Sequence, residues 1–251
     1  ELKLYENKRY CTSWMQHMGI PHPETHVFVN KKEAIDFVDK AIFPLVSKSS
    51  IGAGSTAVHI LKSKSRALSI INHAFGFNRF LSLGYVSWVT FKHPWIKIPM
   101  LGSSQKHYVL FQKYIPIKWE WRIIKIGHSF FGHRKLLKGE FASGSDSVGR
   151  VDPPKHLFDL IADICEQGEF FSMAMDVFET KNGDFIVNEL QSMFGSYDDS
   201  QMYINGIPGR YTYRDGKYIF EEGYFNKFGS CLLRVEHFTA ILTEQKEVDH
   251  P

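Results

Sequence analysis

A glycine-rich loop in the first quarter of the chain carries residue types that can bind phosphate. The run Gly52-Ala53-Gly54-Ser55-Thr56-Ala57 has the spacing G-x-G-x-x-A of dinucleotide-binding turns. Such a turn needs a helix directly after it and an acidic residue about 20 positions later. Strand-like residues follow instead, and no acidic residue occurs between Ala41 and Trp119. The Walker phosphate loop is excluded as well, because its lysine follows the glycines whereas Lys48 precedes them.

The loop fits a hairpin that covers phosphate groups. Lys48 ends the preceding predicted strand and would place a positive charge beside the backbone N–H groups of the flexible loop. Taken alone, the loop also fits a plain hairpin turn with a surface lysine.

Two carboxylates in the second half of the chain have the spacing of a metal site. Asp176 and Glu189 lie on the two arms of a predicted hairpin whose turn is Asn182-Gly183. Carboxylates brought together in this way repel unless a cation holds them, and Mg²⁺ is the usual partner in the presence of phosphate. Gln191 lies two residues after Glu189 and therefore on the same face of the strand. Solvated charges on a surface hairpin are the alternative.

Charge is distributed unevenly around a net value of +3. The acid-free segment between Ala41 and Trp119 is rich in Lys and Arg, and acidic residues return from Glu120 onward. The first region should attract an anion and the second should bind a cation. We do not expect a nucleic-acid partner, because the basic residues are spread over many elements and form no RNA-binding signature.

Composition indicates a folded protein of the cytoplasm. With 251 residues, of which 43% are hydrophobic, the chain can bury a substantial core. No uncharged apolar stretch is long enough to span a membrane, and the start lacks the apolar core of a signal peptide. Cys11, Cys165 and Cys231 are far apart in sequence and are expected to be reduced thiols. The histidines, His133 among them, lack metal-ligand spacing and are expected to be structural or at the surface.

Hydrophobic periodicity predicts alternating helices and strands. The predicted helices are residues 8–18, 31–41, 65–75 and 153–168, and the predicted strands are 25–30, 43–48, 55–62 and 107–116. Two hairpins are predicted at 119–137 and 170–190. No element is predicted for residues 76–106 or after residue 197.

Five motifs, in order along the chain, resemble those of the ATP-grasp family. They are "ENKRYCTSWMQHMGIPHPETHVF", "FPLVSKSSIGAGS", "VLFQKYI", "EWR" and "MDVF…FIVNELQ". The resemblance implies an α+β ATP-grasp fold, in which two α/β lobes with antiparallel sheets clasp ATP. The lobes would be residues 1–118 and 119–251. Family members usually carry a further small domain before the first motif, and we expect that domain to be absent from this chain.

The resemblance also implies roles for particular residues. Arg122 and Lys135 would act in catalysis, and Asp176, Glu189 and Gln191 would hold Mg²⁺ or Mn²⁺. Gln191 replaces the family's common asparagine, and Lys113 replaces a frequent acid of the hinge strand. The residues implied to bind ATP are Lys8, Lys48, Ser50, Gly52, Gly54, Ser55, Gln112, Lys113, Tyr114, Ile115 and Glu120.

The implied activity is the ATP-dependent joining of a carboxylate to an amine. ATP would phosphorylate a small-molecule carboxylate, and the amine would attack the acyl phosphate to form an amide or peptide bond. The motifs are most similar to the ribosomal-protein glutamate ligase and glutathione synthetase branch. An ATP-grasp kinase of a phosphorylated or polyol substrate is one alternative, and a non-catalytic nucleotide or nucleic-acid binding module is another. The two substrates and the oligomeric state, a homodimer included, stay open.

Overall fold

A computed structural model describes residues 4, 7–49, 58–76, 107–139, 141–142, 148–196 and 198–249. The predicted loop residues Ser50, Gly52, Gly54 and Ser55 lie outside this part of the chain. Internal contacts divide the chain into two compact units. The N-terminal unit comprises residues 6–14 and 23–115, and the C-terminal unit comprises residues 1–5, 15–22 and 116–251. The predicted lobes are continuous ranges, whereas each of these units takes in separate N-terminal segments.

The N-terminal unit is a four-stranded antiparallel sheet with two helices. After the opening helix α1 (Lys8–His17), its elements are β1 (Thr25–Phe28), α2 (Lys31–Lys40), β2 (Leu45–Lys48), β3 (Val58–Leu61), α3 (Lys64–Phe75) and β4 (Val109–Lys113). The strand order is β1-β4-β2-β3. Asn30 caps α2 and Ser63 caps α3 through side-chain oxygens that accept backbone N–H groups. The predicted helices and strands of this region are confirmed, except that residues 55–57 of one predicted strand lie outside the described part of the chain.

The core of this unit lies between the two helices and the sheet. Ala34 and Val38 of α2 and Ala67 and Ile71 of α3 are fully or almost fully buried, as is Phe111 of β4. These helix positions recur at intervals of four, so each helix presents one apolar stripe to the sheet.

An eight-stranded antiparallel sheet forms the centre of the C-terminal unit. The elements of this unit are β5 (Ile117–Ile126), β6 (Ser129–Lys135), β7 (Leu137–Lys138), β8 (Phe141–Ala142), β9 (Val148–Gly149), α4 (Lys155–Gln167), β10 (Ser172–Thr180), β11 (Phe185–Gln191), β12 (Tyr203–Ile204), β13 (Ile207–Arg214), β14 (Lys217–Glu222) and α5 (Cys231–Asp249). The main order is β11-β10-β5-β6-β13-β12, with β14 on β13 and β9 on β6, while β7 and β8 pair separately. Apolar residues of α4, including Phe158 and Ile161, are buried beside β5 and β10. Both predicted hairpins and the predicted helix are confirmed.

The last quarter of the chain contains elements that the sequence interpretation missed. Hairpin turns at Asn205-Gly206 and Asp215-Gly216 connect β12 to β13 and β13 to β14, and all four residues have positive φ. Asn-Gly and Asp-Gly are strong hairpin signals, so both turns were present in the sequence. The helix α5 gave no such signal, because its apolar residues are distributed around its circumference rather than on one face. In the described part of the chain, no helix has the length and apolar character that a membrane span requires.

Candidate functional site

Four adjacent strands of the C-terminal unit bring charged residues together. In the strand register, Arg122 of β5 lies opposite Asp176 of β10, and Glu120 of β5 lies opposite Lys135 of β6. Asp176 also lies opposite Glu189 of β11. Glu120 and Arg122 share a face of β5 because side chains two residues apart point to the same side. The register therefore converges acids and bases from four strands on one face of the sheet.

Arg122 binds Asp176 through two hydrogen bonds. Its Nε donates to Asp176 Oδ1 and its Nη2 to Asp176 Oδ2, both at 2.8 Å. The same Nη2 donates to Gln191 Oε1 at 3.1 Å. Fork-shaped pairing of this kind fixes the plane of the guanidinium as well as its position. Arg122 thus connects two of the three predicted metal ligands.

Lys135 connects Asp176 to Glu120. Its Nζ donates to Glu120 Oε1 at 2.8 Å and also donates to Asp176 Oδ2. The three residues are buried, with 3–6% of their surface exposed. We call Glu120, Arg122, Lys135 and Asp176 the charge network. Buried ions of opposite sign offset the cost of desolvation only while each keeps its partners.

The charge network shifts the pKa of its members. Burial alone would raise the pKa of Asp176, but Arg122 and then Lys135 outweigh burial and hold this pKa well below its usual range. Burial would lower the pKa of Arg122, and the charge of Asp176 raises it instead. Burial raises the pKa of Glu120 more than the charge of Lys135 lowers it, and the charge of Asp176 adds to the increase. Asp176 is therefore a fixed anion, and Arg122 is a fixed cation.

Glu189 and Gln191, next to the charge network, carry side-chain oxygens of the kind that Mg²⁺ binds. Glu189 is half-buried directly opposite Asp176, and Gln191 is half-buried two residues later. Carboxylate and amide oxygens are hard ligands, and Mg²⁺ completes its shell with water and phosphate oxygens. Among the described residues there is no cluster of three or more His, Cys, Asp or Glu side chains that would hold a metal by themselves. The donors thus fit an ion that arrives with phosphate groups.

A small cavity of about 80 Å³ adjoins the network. Arg122, His133 and Arg150 contribute to its lining, together with residues 194–196, 198 and 200–203. His133 Nδ1 donates to the carbonyl oxygen of Gln201 at 3.1 Å. Burial lowers the pKa of His133 to about 4, although this hydrogen bond acts in the opposite direction. His133 is therefore neutral at pH 7, and the two arginines give the cavity a positive wall.

Solved structures resemble this chain over about three quarters of its length. A biotin carboxylase domain of 2-oxoglutarate carboxylase from Hydrogenobacter thermophilus, solved with MgADP, ADP and bicarbonate, has a TM-score of 0.55 at 13% identity and matches 78% of this chain and 41% of its own. An N5-carboxyaminoimidazole ribonucleotide synthetase bound to ADP has a TM-score of 0.53 at 14% identity and matches 76% and 45%. A RimK domain ATP-grasp protein from Sphaerobacter thermophilus has a TM-score of 0.50 at 20% identity and matches 75% and 59%.

The chain has the ATP-grasp fold. The α+β ATP-grasp architecture predicted from the five sequence motifs is thereby confirmed. This chain spans about half the length of the solved structures that it matches. No family model matches the sequence, and no curated protein matches it either.

Within the ATP-grasp fold, the predicted catalytic and metal residues come together in the C-terminal unit. Arg122 contacts Asp176 and Gln191 directly, and Lys135 contacts Asp176 and Glu120. The roles assigned to these residues stay predictions. The charge network nevertheless accounts for the acid and the base two residues apart on β5, Glu120 and Arg122, and for the buried Lys135 on β6.

Apart from Glu120, the described residues that are predicted to bind ATP belong to the N-terminal unit. Lys48 ends β2 and is 8% exposed, while Lys8 begins α1. Gln112 of β4 donates through Nε2 to Thr25 Oγ1 at 2.8 Å, so its side chain ties β4 to β1. The backbone N–H of Lys113 donates to the carbonyl oxygen of Glu24 at 2.8 Å. Tyr114 and Ile115 follow β4 directly, and their predicted adenine contacts stay a prediction, as does that of Lys113.

Sequence interpretation missed Arg150 and the polar residues behind the cavity. Arg150 follows the short strand β9, which pairs with β6 at Arg134 and Lys135. A two-residue strand has no periodicity to recognise, so no local signal identified Arg150. Asn226, 4% exposed, is likewise a lone amide between aromatic residues in the sequence.

Proposed function

We propose that this protein is an ATP-dependent carboxylate–amine ligase. The observation that carries the proposal is Arg122, which bridges Asp176 and Gln191 while it lines a cavity together with Arg150. Arginine is well suited to bind a carboxylate or an acyl phosphate, because its fork matches two oxygens at once. Support also comes from the ATP-grasp neighbours, two of which were solved with ADP.

The first step in this proposal is activation of the carboxylate. A carboxylate oxygen attacks the γ-phosphorus of ATP, the bond to the β-phosphate oxygen breaks, and ADP leaves an acyl phosphate behind. Negative charge accumulates on the transferring group, and Arg122 would stabilise it from the cavity wall. We assign Lys8 and Lys48 to the nucleotide phosphates, and Glu120 to ribose or substrate.

Asp176, Glu189 and Gln191 would hold the divalent ion. When bound, Mg²⁺ would neutralise phosphate charge and align the phosphoryl group. Asp176 and Gln191 already accept hydrogen bonds from Arg122, so the guanidinium would keep the donors oriented.

Lys135 would act by positioning rather than by touching substrate. Its ammonium is buried and donates to Glu120 and Asp176. Its positive charge lowers the pKa of both carboxylates and offsets their mutual repulsion, although burial still leaves the pKa of Glu120 raised.

The second step forms the amide. The amine nitrogen attacks the acyl carbon, the bond to the phosphate oxygen breaks, and the proton lost from nitrogen leaves on the phosphate. The neutral His133 adds no positive charge that would repel an incoming ammonium substrate.

The proposal is tested by trapping the acyl phosphate. The protein is incubated with Mg²⁺-ATP, hydroxylamine and pools of carboxylates, and ADP and hydroxamate are measured. We expect ATP-dependent hydroxamate from one pool, and we expect Arg122→Lys to lower its rate about 100-fold, because lysine cannot reproduce the forked contact. The matched control is Arg214→Lys, on the exposed end of β13.

Other outcomes would replace the proposal. ADP without hydroxamate, accompanied by a phosphorylated alcohol from a polyol pool, would identify a kinase. Tight ATP binding without ADP from any pool would identify a binding module, and the ligase proposal would then be wrong.

A further inference from the structure

A larger cavity lies next to the small one in the C-terminal unit. Its volume is about 920 Å³, within the range of about 300–1,000 Å³ typical of small-molecule sites. The two cavities share the lining residues Phe194, Gly195, Ser196 and Asp198. A molecule in the large cavity would therefore lie beside the wall that contains Arg122 and Arg150.

The linings of the two cavities differ in charge. The large cavity is lined by the carboxylates of Asp198 and Asp199 and by one ammonium, that of Lys227. Asp198 pairs with Arg150 at 3.7 Å and thus lies at the boundary between the two linings. Asp199 lies farther along the same loop, and its residue is exposed. The small cavity favours an anion, and the large one favours a cation.

Aromatic rings cover another part of the large cavity. Phe194, Tyr224 and Phe228 all contribute to its lining. Tyr224 is 62% exposed and Phe228 is 84% exposed, so both rings are accessible to a ligand. Aromatic faces bind both planar groups and ammonium ions.

The walls of the cavity are held by a buried amide. Asn226 Nδ2 donates to Ser196 Oγ at 3.0 Å and to the carbonyl oxygens of Ser196 and Asp198, while its Oδ1 accepts from Gln201 Nε2 at 2.9 Å. Arg234 adds a second connection, because its Nη2 donates to the carbonyl oxygen of Phe194 at 2.8 Å. Residues 194–196 and 198–201 are therefore joined to the turn before α5 through Asn226 and to α5 itself through Arg234.

Backbone strain is concentrated at the rim of the same cavity. Phe228, Gly229 and Ser230 have φ values of 53°, 63° and 69°, a left-handed conformation that non-glycine residues rarely adopt. A Cβ atom at Gly195 would approach the carbonyl oxygen of Gly229 to 3.1 Å, so the two segments meet through glycines. Strain of this kind persists where the surrounding structure imposes it, which occurs most often at binding sites.

We propose that the large cavity binds the amine substrate, and that this substrate is an ammonium compound with an aromatic or apolar body. The inference rests on the proposed ligase function and specifies one of its two substrates. Asp199 attracts the ammonium group, while Tyr224 and Phe228 contact the body of the molecule. After the ammonium loses one proton to solvent, the neutral nitrogen attacks the acyl carbon held near Arg122, and the bond from that carbon to the phosphate oxygen breaks. The second proton on that nitrogen leaves with the phosphate group.

The first measurement is direct binding. Ligand-observed NMR with 2-phenylethylamine is compared with phenylacetate, which has a similar size and the opposite charge. We expect binding of the amine to the wild-type protein, and we expect Asp199→Asn and Tyr224→Leu each to weaken it roughly ten-fold, the size of one lost charge or aromatic contact. Asp215→Asn and Tyr213→Leu, both on the hairpin formed by β13 and β14, are the matched controls and should bind as the wild type does.

The second measurement is the amine KM of the ligase reaction. We expect both cavity variants to raise the KM for aromatic amines while the KM values for ATP and for the carboxylate stay unchanged. If wild-type protein forms hydroxamate but the two variants leave amine KM and binding unchanged, the cavity proposal is wrong and the ligase proposal stands. A preference for anionic amines such as glutamate would overturn the cavity proposal as well. If no hydroxamate forms, the ligase proposal is wrong, and the NMR comparison then decides by itself whether the cavity binds amines.

Discussion

The charge network and the large cavity are built in opposite ways within one unit. Strands β5, β6 and β10 carry the network, and its side chains are buried and engaged with one another. Loops carry the cavity, and its aromatic side chains are exposed. Strand register fixes positions to within a residue, whereas loops vary in length and sequence without altering the sheet. In this unit, the residues proposed for chemistry lie on strands, and those proposed for substrate choice lie on loops.

The largest effect is expected at Asp176, which belongs to the charge network. Asp176→Asn would leave Arg122 and Lys135 as buried cations without their common partner. We expect the free energy of unfolding to fall by about 3–5 kcal/mol, as for other broken buried ion pairs. Urea denaturation measures this change, and Asp184→Asn in the exposed β10–β11 turn is the control. A loss below about 1 kcal/mol would mean that the network contributes little to stability.

We expect replacement of Glu189 to affect catalysis more than stability. It is half-buried on β11, and its replacement by glutamine keeps the shape but removes the charge offered to a metal ion. We expect turnover to fall about 100-fold or more while ATP binding persists, a loss typical of removing one electrostatic contact to the transition state. ADP release and ATP titration measure the two quantities, with Glu222→Gln as the control. Unchanged turnover would refute the metal assignment.

Asn226 tests whether the loops depend on their buried amide. Asn226→Ala would remove the partner of Gln201 and Ser230 inside the protein. We expect a loss of about 1–3 kcal/mol in unfolding free energy, the cost of unsatisfied buried polar groups. Denaturation and 2-phenylethylamine binding should both weaken, and Asn182→Ala in an exposed turn should alter neither. Intact binding with lowered stability would show that Asn226 does not shape the cavity.

The smallest effect on stability is expected at His133, which lines the small cavity between the charge network and the large cavity. Its pKa is lowered to about 4 in the folded protein, so the unfolded chain binds the extra proton as the pH falls below about 6.5. Its contribution is fully present above pH 6.5 and is lost as the pH falls toward 4. Between pH 7 and 5.5 this amounts to about 1 kcal/mol. The pH dependence of unfolding, compared between wild type and His133→Gln, measures it, and equal slopes would contradict the prediction.

The sequence predicts the network better than the cavity for a physical reason. Glu120 and Arg122 alternate on a strand, and Asn182-Gly183 marks the turn that brings Glu189 opposite Asp176. Both are local patterns. Pairing of β5 with β10 joins Arg122 to Asp176 across more than fifty residues of chain, and no pattern in the sequence predicted this contact.

The large cavity depends on contacts between irregular segments, which hydrophobic periodicity does not predict. Asn226 meets Ser196 and Gln201 through single hydrogen bonds between irregular segments. The neighbouring strands β12, β13 and β14 were predictable from the sequence, because Asn205-Gly206 and Asp215-Gly216 mark the turns that flank β13. The helix α5 was not predictable by periodicity, because exposed apolar residues such as Val235 and Phe238 occur on its outer surface as well.

The contact between Gly195 and Gly229 limits how the cavity can diversify. Because a side chain at Gly195 would press against the carbonyl oxygen of Gly229, replacing this glycine would require the Gly229 backbone to shift, so the cavity is not readily reshaped at this point. Changes in substrate size would instead have to accumulate at Tyr224, whose exposed ring can be exchanged without disturbing the backbone, and at Phe228 through residues that tolerate its φ of 53°. A library restricted to those two positions would therefore sample new amines at little cost in folding.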